Sequence, residues 1–186
     1  TLKHKTMKFD LNDVYQDFKS LMENSIKAQF AESKSIPPVL FIGIESKSEV
    51  GKIEAAILPA DEFLQDVNGK NALSNLMKQI VKENKPVFVA LIVEAYMVKL
   101  NIGEAFDDVA PSEHPNKVEV VMISFEGKGF QKQLMFEINR PKTGIPYLSD
   151  AEEVPSQGTM SGRFSGFFND AENDDSDSFG DITNEI

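Results

Sequence analysis

The chain has 186 residues, no cysteine and a formal net charge of −11 at pH 7. The missing cysteines exclude disulfides, cysteine nucleophiles and thiolate metal sites, and no apolar run reaches the ~18 residues of a membrane-spanning helix. Arg140 and Arg163 are the only arginines and the lysines are scattered, which argues against a general nucleic-acid binder, since such proteins neutralise phosphates with clustered cations.

Lys3, His4, Lys5 and Lys8 make the first residues basic, but no apolar core follows them, so no signal peptide is expected. A soluble intracellular protein is the expectation. In residues 11–30, Leu11, Val14, Tyr15, Phe18, Leu21, Met22, Ile26 and Phe30 recur at steps of three and four, the spacing of one helical face. Asp10 is placed to cap this helix and Asp13 to support its first turn. After Pro37-Pro38, residues 39–44 form a short apolar run, residues 45–51 are turn-like, and residues 52–58 form a second strand ended by Pro59, which predicts a hairpin. A helical region starts at Asp61. Asn68-Gly69 reads as a turn that interrupts it, and a firmer helix is predicted over 71–84 with Leu73, Leu76, Met77 and Ile80 on one face.

Residues 87–100 are nearly all apolar and rich in β-branched side chains, which predicts a central strand buried on both faces. Residues 118–126 form the next strand, and a turn at Glu126-Gly127-Lys128-Gly129 leads into residues 130–139. There Phe130, Leu134, Phe136 and Ile138 alternate with Gln131, Gln133, Glu137 and Asn139, the pattern of a half-exposed strand. The expected fold is α+β, a mostly antiparallel five-stranded sheet with two main helices in the order α-β-β-α-β-β-β, followed by an extended acidic tail. That element order resembles the roadblock and profilin-like folds.

The charge divides the chain into an expected body, 1–149, and a tail, 150–186. Ten acidic residues and the single Arg163 leave the tail at −9, so the body is nearly balanced. Gly, Ser, Asp and Asn dominate the tail, too polar for a core of its own. Phe164, Phe167, Phe168 and Phe179 are interleaved with the acids. Aromatic anchors among carboxylates fit a segment that docks on a basic groove. The candidate partner-binding residues are therefore Phe164, Phe167, Phe168, Asp170, Asp174, Asp175, Asp177, Phe179 and Asp181. The run from Asp175 to Asp181 resembles a calcium loop, but Phe179 stands at a ligand position and Ile186 replaces the closing Glu. Such tails also resemble those of single-stranded-DNA-binding proteins; this body, with no Trp and three Tyr, lacks the stacking surface that binding needs.

Two groups in the body invite chemistry. Ser112, Glu113 and His114 lie between Pro111 and Pro115, but residues two apart rarely align a hydroxyl with an imidazole, so a shaped loop is expected there. Glu94, Glu119 and Glu137 lie on three successive strands and would converge in a suitable register; Glu94, in an otherwise apolar strand, should have a partner. Residues 94–97, Glu-Ala-Tyr-Met, and 111–122, Pro-Ser-Glu-His-Pro-Asn-Lys-Val-Glu-Val-Val-Met, resemble a pattern in uncharacterised phage and prophage proteins, which often carry Trp at the position of Tyr96 and Arg at that of Lys117. This resemblance implies a viral accessory or virion protein, in the host-cell cytoplasm or a virion, and no activity. The expected function is a non-enzymatic interaction protein without cofactor, docking on a protein partner or a sister subunit through its tail. The alternatives are a single-stranded-DNA-binding or DNA-mimic accessory, with nucleic acid disfavoured, and a metal-assisted hydrolase using Glu94, Glu119 and His114.

Overall fold

A computed structural model describes residues 9–98, 109–154 and 163–168. Helix α1 (Leu11–Ser33) begins where the Asp10 carboxylate accepts from the N–H groups of Asn12 and Asp13, and ends at Lys34, whose left-handed backbone lets its N–H donate to the Phe30 carbonyl. The hairpin of β1 (Val39–Glu45) and β2 (Ile53–Pro59) follows. A short 3-10 turn (Asp61–Leu64) leads into α2 (Val67–Asn84), then β3 (Phe88–Val98), β4 (Lys117–Gly127) and β5 (Phe130–Asn139). Asn68-Gly69 does not interrupt a helix, as the sequence suggested, but lies in the first turn of α2. Asp66 caps that turn by accepting from the Gly69 N–H at 2.7 Å, and a side chain at Gly69 would collide with the Phe63 carbonyl.

The fold is α+β with two helices and an antiparallel sheet, and the sheet order is β2-β1-β3-β4-β5-β6. The expected count of five strands is too small. Two-residue strands β6 (Tyr147–Leu148) and β7 (Glu152–Glu153) both pair with β5. They escaped notice because two residues carry no periodicity. The packed structure therefore continues past residue 149. Lys27 reaches Asp150 at 2.6 Å, and Glu153 lies between Lys19 at 3.1 Å and Lys132 at 3.6 Å. Among the described residues no helix is long and apolar enough to cross a membrane.

β3 is central and buried on both faces over its first half, as its composition predicted. Phe88, Ala90 and Ile92 face α1 with Val121, Ile123, Phe125, Leu134, Phe136 and Ile138. Tyr15, Phe18, Met22, Ile26 and Phe30 of α1 seal this face. Its centre is aromatic: Phe88 stacks on Phe125 at 4.8 Å between centroids, and Phe18 and Tyr15 pack against Phe125 at 5.5 and 5.3 Å. Gly43 of β1 stands opposite Phe88, and any Cβ there would overlap its ring. Val89 and Leu91 point the other way, with Leu40 and Ile42 of β1, against Leu73, Met77 and Val81 of α2. The two helices are offset: α1 lies over β3–β5, α2 over β1 and β3.

Candidate docking site

The offset leaves the α2-side margin at β4 to be completed by another part of the chain. Residues 163–168 do so. Phe167 is 2% exposed and Phe168 8%; both join the α2-side core, with Phe164 packed against it. Ser74 of α2 donates its hydroxyl to the Arg163 carbonyl at 2.7 Å. Gly166 N–H donates to Glu126 Oε1 at 2.7 Å and Phe167 N–H to Oε2 at 3.0 Å. Gly166 has φ 79°, a left-handed conformation that turns the two successive N–H groups towards one carboxylate.

Glu126 lies near the end of β4, opposite Val89 on one side and Gln131 on the other, and is 3% exposed. Burial pushes its pKa above the ordinary glutamate value, against the pull of the Gly166 and Phe167 N–H groups and the Gln131 side chain. The arrangement is a carboxylate clamp on a backbone turn whose two phenylalanines fill the core. It has the means to hold a segment.

Phe164, Phe167 and Phe168, expected to meet a partner, are thus placed against the chain's own body. Asp170, Asp174, Asp175, Asp177, Phe179 and Asp181 lie outside the described residues, as does the calcium-like run. Sequence reasoning missed Glu126 and Ser74. A signal for Glu126 existed: it follows residues 120–125, apolar except for Ser124, the same kind of context that drew attention to Glu94, but the adjoining glycines led to its being read as a turn residue.

The strand register separates the three meander glutamates. Glu94 and Glu119 share the α1 face, whereas Glu137 stands opposite Val120 on the other. The register therefore excludes a meeting of all three, the condition the sequence left open. Glu94 has the partner its setting requires, accepting from the Ile36 N–H at 2.6 Å. Both oxygens of Glu119 are taken by Arg140, whose Nε and Nη2 each donate at 2.8 Å, which holds the Glu119 pKa below its ordinary range. His114 is buried, and its Nδ1 accepts from the Asn116 N–H at 3.0 Å. Lys117 ties the loop further by donating to the Ser112 carbonyl at 2.6 Å. Among the described residues no three His, Asp or Glu side chains are grouped to hold a metal ion. Comparison with protein-family models, curated proteins and solved structures returned no match.

Proposed function

We propose that the chain is a non-enzymatic interaction protein in which residues 163–168 are an intramolecular mount for the acidic segment that follows. Residues 169–186 carry seven acidic side chains and no basic one. Such a segment is attracted to a basic surface on a protein partner or a sister subunit, and the attraction weakens with salt. The observation that carries this reading is the Glu126 clamp, which fixes on the body the residues from which the acidic segment departs. The resemblance over residues 94–97 and 111–122 supports a phage-associated setting.

The test is affinity capture from host cells with three full-length forms: unsubstituted, with the seven acids of 169–186 changed to Asn or Gln, and with Glu126→Ala. The expected result is a partner that is retained at low salt, lost on neutralisation and weakened by Glu126→Ala. Equal capture by the neutralised form overturns the proposal.

A further inference from the structure

The sheet ends differently on its two sides. At β5 the additional strands β6 and β7 pair with its exposed side, and Glu153 bridges two lysines there. At the opposite end, β2 is the last strand among the described residues. Ser46 N–H donates to the Lys52 carbonyl and Ala60 N–H to that of Pro38, so residues 52, 54, 56, 58 and 60 direct their backbone groups at β1. Ile53, Ala55 and Ile57 therefore direct theirs outward. Pro59, which has no N–H to leave unpaired, falls on the outward side as well.

The side chains do little to protect this edge. Residues 55–58 are Ala, Ala, Ile and Leu, with Ile57 59% and Leu58 39% exposed. An open edge is normally guarded by a central lysine, an inward-pointing charge or a bulge, and residues 55–58 contain neither charge nor break in pairing. Glu54 is turned towards Ser46, whose hydroxyl donates to it at 2.5 Å.

We propose that β2 pairs antiparallel with β2 of a second copy of this chain, about a two-fold axis at Ala56. In this register the N–H groups of Ile53, Ala55 and Ile57 meet the carbonyls of the partner's Pro59, Ile57 and Ala55. All outward donors of both strands are satisfied. Ala56 faces its own symmetry mate in a non-hydrogen-bonded pair, where Cα atoms approach to ~4.5 Å and two methyl groups fit. Charge selects this register over one centred on Ala55. The Ala55 register would make the two Glu54 carboxylates diagonal neighbours at ~7–8 Å; the Ala56 register separates them by ~13 Å along the strand. It also sets Lys52 opposite the partner's Ala60, beside the partner's Asp61 and Glu62. In the single chain these two acids are exposed. Lys52, which pairs with Glu49 in the single chain, is exposed, so the symmetric interface brings two sets of opposite charges together.

The chain has no cysteine, so Ala56→Cys in the full-length protein places a lone thiol on the axis. Mild oxidation should link it into a dimer, whereas Ala55→Cys, which faces Ile57 and not itself, should link roughly tenfold more slowly because its thiols are out of disulfide reach. Sedimentation should show a dimer for the unsubstituted chain and a monomer for Ile57→Lys, whose exposed position leaves the circular dichroism unchanged. A monomer at every concentration tested overturns the proposal, as do equal cross-linking rates for the two cysteine variants or a dimer untouched by Ile57→Lys. A monomer with slow hydrogen exchange at Ile53, Ala55 and Ile57 also overturns it, and assigns the edge to another segment of the same chain.

Discussion

The two faces of the sheet are closed by different means. On the α1 face, one 23-residue helix lays Tyr15, Phe18, Met22, Ile26 and Phe30 across β3, β4 and β5, and the seal is almost wholly apolar. On the other face α2 covers β1 and β3, and the cover is finished by six residues from far down the chain, held by a buried carboxylate, a serine and two phenylalanines. The first closure is integral to the helix, because α1 draws most of its stability from burying this stripe on the sheet. The second rests on a short segment joined to the rest by a polar clamp and two phenylalanines, and is expected to open locally before the sheet does. A helix offset from the sheet it covers leaves room for a part that is docked.

The largest expected effect breaks the first closure. Phe125 is fully buried and packs against Tyr15, Phe18, Phe88 and Phe130. Phe125→Ala should lower global stability by about 3–5 kcal/mol, read from urea unfolding at constant m-value. The corresponding change on the other face, Phe167→Ala, should cost less, about 1–3 kcal/mol. Residues 163–168 can undock instead of enclosing a cavity, so the loss is bounded by the docking free energy. Limited proteolysis should separate the two cases: cleavage near residues 163–168 rises sharply in Phe167→Ala with the sheet intact, while Phe125→Ala opens the chain throughout. Equal global losses with no local cleavage would show that the segment is as integral as α1.

The clamp itself comes next. Glu126→Ala leaves the Gly166 and Phe167 N–H groups without their acceptor, an omission worth about 1–3 kcal/mol for a buried group. The expected outcome is faster hydrogen exchange at Gly166 and Phe167 and little change at β3. The clamp also has a pH sign. Burial raises the Glu126 pKa above the ordinary 4.5, so the folded state holds this proton more tightly than the unfolded chain. The cost of ionising Glu126 is absent below 4.5 and grows as pH rises through the folded value. A carboxyl carbon-13 titration should place Glu126 above 4.5; a value below it would show that the three donors outweigh burial.

The contrast between the faces was half legible in the sequence. α1 could be read because Tyr15, Phe18, Met22, Ile26 and Phe30 repeat at helical spacing, although Leu21, counted on the same face, is 62% exposed. β5 could be read to its ends because large apolar residues alternate with amides and a glutamate. Both signals are local, and local periodicity survives into the fold. The docked segment gives no such signal. Residues 163–168 are small and aromatic without a period, and what places Phe167 in the core is a carboxylate some forty residues earlier. Ser74 carries no signal of its own in the helix sequence, and its role exists only through the Arg163 carbonyl it bonds. Whether the three glutamates meet could not be read for a related reason: it depends on strand register, and pairing of Val120 with Glu137 turns Glu137 to the far face.

The smallest expected effect sharpens the comparison most, because its pH sign opposes that of the clamp. On the α1 face Arg140 grips Glu119 with two hydrogen bonds, and its guanidinium sits 5.9 Å from the Phe30 ring, near the helix end. The pair is partly exposed, so solvent screens it, and its contribution is about 0.5 kcal/mol. Arg140 lowers the Glu119 pKa below the ordinary 4.5. The stabilisation is therefore present above 4.5 and lost as pH falls through the depressed folded value. Arg140→Ala should remove this acid-side loss while leaving the Glu126 titration where it was. Arg140→Lys should behave nearly like Arg140→Ala, since an ammonium cannot supply the two-pronged donor set. Urea midpoints measured from acid to neutral pH give the check. A pH profile that Arg140→Ala leaves unchanged would mean that the α1 face is held by its apolar stripe alone, with no ionic contribution at its rim.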